Sequence, residues 1–216
     1  MKAKILDHFS LLSLPTNDLV PYFDGLPSRG AKLTYLPREK VSKQFNCSYT
    51  EGLWVDSKVK STLKWNKQQL KEDGVISGIS GAELRQGIQK IRAGTADDFL
   101  AITKMDPSVG HGVFAIRDIP KHTVLCLYSG EIKAGRRIVT PHTNDYLFYT
   151  GNFHVEAYSR KGIASFMQHL PGSTKPFASH RESIAVTNVM LEFVEIDDIP
   201  IIVIVALRNI SALEQV

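Results

Sequence analysis

The sequence predicts an α+β protein in which a mixed, partly helical N-terminal region precedes a β-rich part made of small twisted sheets. Two observations predict this class. From Phe99 onward, short apolar runs alternate with turn residues, a pattern typical of strands. Before that point, one segment has apolar residues at helical spacing, and the rest shows no sustained period. The 216 residues are 43% hydrophobic and 22% charged, which suits one main domain with a smaller second one.

The N-terminal region, residues 1–95, contains two predicted helices. The segment STLKWNKQQLKEDG indicates a helix that ends at Gly74. In the segment SGAELRQGIQKIRAG, Ser80 and Glu83 have the spacing of a capping box, in which each side chain accepts from the other residue's backbone N–H. This segment therefore predicts a short amphipathic helix before Gly94. Its apolar positions are Leu84, Ile88 and Ile91.

Five strands are predicted in the β-rich part. The segments FLAITKM and GVFAIRDI give the first two, and TVLCLYSGEI, from Thr123 to Ile132, gives the third. The segments NVMLEFVEI and PIIVIVAL flank DDI and predict an antiparallel hairpin. Pro200 lies at the start of the second hairpin strand, where its missing N–H is tolerated.

Two glycines, Gly110 and Gly112, come directly before the second predicted strand. Glycine is costly in ordered structure and is typical of positions where the backbone takes a positive φ or another group comes very close. A tight turn between two strands is the ordinary alternative explanation. The sequence therefore raises the question of what lies against this loop.

Composition and motifs exclude several classes of protein. Cys47 and Cys126 are too few and too far apart for a disulfide framework or a cysteine-rich zinc site, which predicts a reducing, intracellular setting. The longest apolar run, Ile199 to Leu207, is too short to span a bilayer, which predicts a soluble protein. The histidines show no ligand spacing, so no metal is expected. The excess of basic residues in the first third lacks aromatic interleaving, which argues against direct nucleic-acid binding.

Four segments in order resemble the SET domain of protein lysine methyltransferases. They are GHGVFAIRDIP, LYSGEI, ASFMQHL and the final hairpin that leads into ALRNISALE. The resemblance covers residues 99–216. It implies a SET-type domain over residues 96–216 that lacks the usual C-terminal tyrosine segment, with residues 1–95 as an N-terminal appendage that contains short helices and has no assigned role.

The resemblance also implies a set of site residues. Those that correspond to the family's S-adenosylmethionine site are Gly110, His111, Gly112, Gln168 and His169. Tyr128 and Tyr146 correspond to catalytic tyrosines that shape the channel for the substrate lysine. Ordinary alternatives exist for each tyrosine: a half-buried strand residue for Tyr128 and a core aromatic for Tyr146.

The sequence departs from the family pattern at several positions. His111 stands where the family commonly has Trp, Gln168 replaces an Asn, and Leu213 replaces a Gly. The usual final tyrosine is not found by Val216.

The first hypothesis is an S-adenosylmethionine-dependent methyltransferase acting on lysine side chains of proteins, histones or others, with a lysine-containing protein or peptide as partner. The alternative is a catalytically inactive SET-like module that binds another protein.

Overall fold

The computed structural model describes residues 8–13, 18–56, 78–96, 98–105, 110–134, 147–150, 153–167, 188–196 and 199–216. The strands in these ranges are β1 His8–Ser13, β2 Leu19–Phe23, β3 Leu33–Pro37, β4 Ser48–Tyr49, β5 Gly52–Asp56, β6 Leu100–Lys104, β7 His111–Ala115, β8 Val124–Leu127, β9 Gly130–Ala134, β10 Leu147–Thr150, β11 Phe153–Glu156, β12 Arg160–Lys161, β13 Val189–Ile196 and β14 Ile199–Ala206. The helices are α1 Arg38–Gln44 and α2 Gly81–Arg92, with short 3₁₀ turns at Pro27–Arg29 and Ile163–Phe166. The helix predicted to end at Gly74 lies outside the described residues.

The strands form four small sheets, which confirms the predicted α+β class. Their strand orders are β1-β5-β9-β11-β10, β3-β2-β6-β7, β13-β14-β8 and β12-β4. Three of these sheets combine strands from both sides of residue 95: β5 runs parallel to β9, β2 runs parallel to β6, and β4 runs parallel to β12. The predicted boundary near residue 95 therefore separates two parts of the chain that share three sheets.

Helix α2 begins as the capping-box pattern predicts. The Ser80 hydroxyl accepts from the backbone N–H of Glu83 at 3.2 Å, and the Glu83 carboxylate accepts from the backbone N–H of Ser80 at 3.0 Å. Leu84 and Ile88 are buried in the main core. Gly94 follows the helix with φ +68°, a conformation that favours glycine.

The predicted third strand, Thr123 to Ile132, was wrong as a single element. It is two strands that belong to different sheets: β8 pairs with β14, whereas β9 lies between β5 and β11. The chain passes from one sheet to the other at Tyr128 and Ser129. Gly130 permits this step, because a Cβ there would lie 2.6 Å from the carbonyl oxygen of Glu156. Two residues of the candidate site therefore lie at a junction between sheets.

Two turns of similar sequence, AIRDIPKH at residues 115–122 and ALRNISAL at residues 206–213, pack against each other. We call them the first and second paired turns. Ile119 and Ile210 exchange two backbone hydrogen bonds, of 2.8 and 2.9 Å, at the centre of this contact. Both side chains are buried, with an exposed fraction of 1%. The contact joins the end of β7 to the end of β14.

Side chains also connect the paired turns. Asp118 Oδ1 accepts from the backbone N–H of Ala212 at 2.8 Å, and Asn209 Oδ1 accepts from the backbone N–H of Lys121 at 2.8 Å. The two turns therefore cap each other in the same way, which gives this part of the fold an approximate two-fold symmetry.

Candidate active site

The structure separates the two glycines: Gly110 precedes β7, whereas Gly112 lies within that strand, which begins earlier than predicted. A different contact or backbone conformation explains each glycine. Gly110 has φ +84°, and no atom lies within 4 Å of the position that a Cβ would take in the described structure. Gly112 has an ordinary backbone, but a Cβ there would lie 2.5 Å from Sδ of Met105. The group that comes close to Gly112 is thus a side chain of the protein itself, whereas Gly110 borders open space.

His111, between these glycines, packs against the N-terminal region. Its ring is perpendicular to that of Phe45, with 4.5 Å between centroids, and Phe45 in turn lies 4.6 Å from the ring of Phe166. Partial burial lowers the pKa of His111, and the positive charges of Lys104 and Lys161 lower it further. The imidazole is therefore neutral near pH 7. Phe45 follows α1, so the N-terminal region supplies one side of this loop's surroundings.

The 3₁₀ turn Ile163–Phe166 leads towards Gln168 and His169, which lie outside the described residues. Its four residues are buried, and it packs against β6, β7 and β8. It therefore contacts both the strand that begins at His111 and the strand that ends directly before Tyr128. Within the described ranges, Ser165 Oγ is buried and has no hydrogen-bond partner. Such an atom is rare in folded proteins, and a bound polar molecule is one group that would satisfy it.

Tyr128 lies at the junction between β8 and β9 and is 5% exposed. Its backbone N–H donates to the carbonyl of Ile202 at 2.9 Å, which fixes the main chain against β14. Ser129, the next residue, is fully buried. Tyr146, the second predicted channel tyrosine, lies outside the described residues, so its role stays a prediction.

The sequence analysis did not identify the carboxylate of Glu51, which contacts Ser129, the residue that follows Tyr128. Its Oε1 accepts from the backbone N–H of Ile163 at 3.0 Å, and its Oε2 accepts from the hydroxyl of Ser129 at 2.9 Å. Burial raises the pKa of Glu51, although the donors of Ile163 and Ser129, the nearby Tyr49 hydroxyl and the charge of Arg38 oppose the rise. No sequence pattern marks this residue, since its partners are remote along the chain.

A charged cluster lies beside this junction. The carboxylates of Glu131 and Glu156 are opposite each other on β9 and β11 and are only 8% and 6% exposed. Lys133 forms ion pairs with both of them, and Arg160 Nε lies 3.1 Å from Glu131 Oε1. The Arg160 guanidinium also lies 4.8 Å from the centre of the Trp54 ring. Each buried carboxylate is thus paired, as buried charge requires.

Two features bear on metals and membranes. In the ranges that the structure describes, no three His, Cys, Asp or Glu side chains gather as a metal site would need. Within those same ranges, no helix has the length and hydrophobicity needed to cross a membrane.

A family comparison identifies the second part of the chain. The model of the SET domain matches residues 110–216. This part of the chain is therefore a SET domain, as the resemblance of the four segments predicted. No match was found among curated protein sequences.

One solved structure supports the same fold, and two others are similar over a smaller part of this chain. The structure of ATXR5 in complex with histone H3.1 mono-methylated on R26 is similar, with a TM-score of 0.59, 16% identity and coverage of 82% of each chain. Arabidopsis thaliana SUVH6 in complex with SAM gives a TM-score of 0.39 and 24% identity over 54% of this chain and 27% of that chain. KRYPTONITE in complex with mCHG DNA and SAH gives a TM-score of 0.38 and 21% identity over 54% of this chain. The match spans only 22% of the KRYPTONITE chain. At 16% identity, the likeness to ATXR5 shows the fold alone.

Proposed function

We propose that this protein is an S-adenosylmethionine-dependent methyltransferase that acts on lysine side chains of proteins. The observation that carries the proposal is the SET-domain match, which begins at Gly110, where the backbone is left-handed and borders open space. The assignment of Gly110, His111, Gly112, Gln168 and His169 to the cofactor, and of Tyr128 and Tyr146 to the lysine channel, belongs to this proposal.

The described residues fit such a cofactor in three respects. The open side of Gly110 leaves room for a ligand to approach the main chain. The lowered pKa of His111 keeps its imidazole uncharged, which avoids repulsion of a cationic sulfonium nearby. The Ser165 hydroxyl, in the turn that leads to Gln168, is buried and has no hydrogen-bond partner among the described residues, so it could donate to or accept from a ligand. When bound, the cofactor would supply an activated methyl group.

The role of the protein in this reaction is mainly alignment. Tyr128 is buried and its main chain is fixed to β14, so its ring can form a rigid side of a narrow channel. A channel of low polarity favours the uncharged form of a lysine amine, which alone has the lone pair needed for attack. The lysine amine would lose its proton to water before the reaction, and the bound cofactor would supply the methyl group to the freed lone pair. Activity should therefore rise towards alkaline pH.

A histone H3 peptide is the first substrate to test, because the structure of ATXR5 contains histone H3.1. A histone substrate would place the protein in the nucleus. Substrate choice depends on groove shape, so peptides with other lysine sequences belong in the same assay.

The test compares two glycines in the same backbone conformation. Gly110 has φ +84° and Gly30 has φ +83°, and among the described residues no atom lies within 4 Å of the Cβ position of either glycine. Gly110→Ala and Gly30→Ala should therefore lose similar stability, on the order of 1–2 kcal/mol. Only Gly110→Ala should lose affinity for S-adenosylmethionine, by about tenfold or more in calorimetric titration. Equal affinities in the two variants would contradict the assignment of the loop.

Methyl transfer to peptides is measured in parallel by mass spectrometry. Cofactor binding with transfer to a lysine supports the proposal. A folded parent protein that binds no cofactor contradicts it and supports the inactive binding module instead.

A further inference from the structure

Glu51 connects two segments of the candidate site that are distant in sequence. It lies 112 residues before Ile163 and 78 residues before Ser129, and its carboxylate accepts a hydrogen bond from each. Ile163 begins the turn that leads to Gln168, and Ser129 follows Tyr128 directly. One side chain from the N-terminal region thus contacts a residue of the turn before Gln168 and the residue next to Tyr128.

The packing around the carboxylate leaves it little freedom. A Cβ on Gly162 would lie 2.6 Å from Oε2 and 2.9 Å from Oε1 of Glu51, and 2.6 Å from the Ser129 hydroxyl. The absence of a side chain at Gly162 thus lets the carboxylate lie flat against the main chain. On the other side, the Ser129 hydroxyl accepts from the backbone N–H of Gly52 at 3.1 Å, which ties the network to β5.

We propose that Glu51 is a positioning residue of the methyltransferase site: its carboxylate holds the backbone at Ile163 and the hydroxyl of Ser129 in one fixed arrangement. This inference rests on the proposed function. It gives the N-terminal region a role in the reaction, because cofactor and lysine must be aligned closely for direct methyl transfer. A misplacement of about 1 Å from a remote change can cost about 10²-fold in rate.

The chemistry of the carboxylate suits this role better than that of a shorter or apolar side chain. Glu51 accepts from two donors at once, the N–H of Ile163 and the hydroxyl of Ser129. Removal of the carboxylate leaves the buried N–H of Ile163 without its partner. A glutamine keeps one oxygen for that N–H, and its amide can donate to Ser129, so it should preserve most of the arrangement.

The test uses the whole chain with three variants. Glu51→Ala removes the carboxylate, Glu51→Gln retains its shape, and Glu39→Ala is the control because Glu39 is an exposed carboxylate on α1. Measured quantities are kcat, the KM values for S-adenosylmethionine and for a peptide, the melting temperature, and the hydrogen exchange of the Ile163 amide. Glu51→Ala should lower kcat/KM about 10²-fold, Glu51→Gln should recover to within about tenfold of the parent, and Glu39→Ala should change nothing.

The exchange measurement separates this inference from the proposed function. If the parent protein is active and Glu51→Ala has the same kcat and KM, the positioning role is overturned and the proposed function is not. If the parent binds no cofactor, the proposed function fails, and the amide of Ile163 then decides the local claim. Faster exchange of the Ile163 amide in Glu51→Ala but not in Glu51→Gln supports the positioning role. Equal exchange in the parent protein, Glu51→Ala and Glu51→Gln overturns it. If Glu51→Ala does not fold, Ser129→Ala takes its place, because it removes one partner of the carboxylate.

Discussion

The first and second paired turns have the same backbone conformation but differ in what surrounds their last residues. Each ends in a non-glycine residue of positive φ, +66° at His122 and +65° at Leu213. His122 is partly buried, and its Nε2 has no hydrogen-bond partner within the described ranges, whereas Leu213 is 49% exposed. By the resemblance to SET domains, Leu213 corresponds to a glycine. Because both turns have the same backbone hydrogen bonds and caps, we expect a side chain at this position to change the stability of the turn but not its shape.

The largest expected effect on stability comes from the two isoleucines at the centre of the contact between the paired turns. Ile119→Ala and Ile210→Ala should each destabilise the protein by about 2–5 kcal/mol, because both side chains are fully enclosed. Urea unfolding of the two variants should give similar losses, since each residue has the same place in its own turn. A loss in one variant more than twice that in the other would break the proposed equivalence.

The side-chain caps of the two paired turns should have the second-largest effect on stability. Asp118→Ala should cost about 1.5–3 kcal/mol and Asn209→Ala about 0.5–1.5 kcal/mol, because a hydrogen bond to a charged acceptor is the stronger of the two. Chemical denaturation of both variants measures the difference. The reverse order would show that the charge of Asp118 contributes nothing to its cap.

A smaller effect distinguishes the two left-handed residues. Leu213→Gly should raise stability by about 1 kcal/mol, because glycine removes the strain of positive φ and little burial is lost. His122→Gly should gain less, since its partly buried ring is lost as well. Melting temperatures of the two variants test this, and a drop for Leu213→Gly would mean that its side chain packs against something essential.

The smallest effect is a difference in pH dependence. In the second paired turn, Arg208 forms an ion pair with Glu214 and lowers the pKa of that carboxyl. Thr123 follows the first paired turn as Glu214 follows the second. Its hydroxyl is uncharged and donates to the carbonyl of Pro120 at 2.7 Å. A lowered pKa stabilises the folded state above the ordinary pKa of glutamate, and this contribution is lost as the pH falls through the folded value.

The Glu214→Gln variant should therefore lose less stability than the parent between about pH 5 and pH 3, by a few tenths of a kcal/mol for so exposed a pair. Denaturation at several pH values measures it. Parallel curves for parent and variant would show that solvent screens the pair completely.

Local patterns predicted several elements correctly because their causes are local. The capping box of α2 and the hairpin of β13 and β14 depend on residues near each other in the chain. The break at Tyr128 and Ser129 was missed, because each half of that apolar run pairs with a different sheet. The similarity between AIRDIPKH and ALRNISAL is visible in the sequence and could have been found by a search for short repeats.

Local sequence patterns were enough to predict the SET-domain resemblance, helix α2, the final hairpin and the candidate segment at Gly110 and Gly112. Tertiary structure decided how the N-terminal region takes part. It pairs β5 with β9 and brings Glu51 to donors 112 and 78 residues away. The physical reason is that spacing along a chain encodes local geometry, whereas a buried carboxylate is matched to its donors only when distant segments close around it.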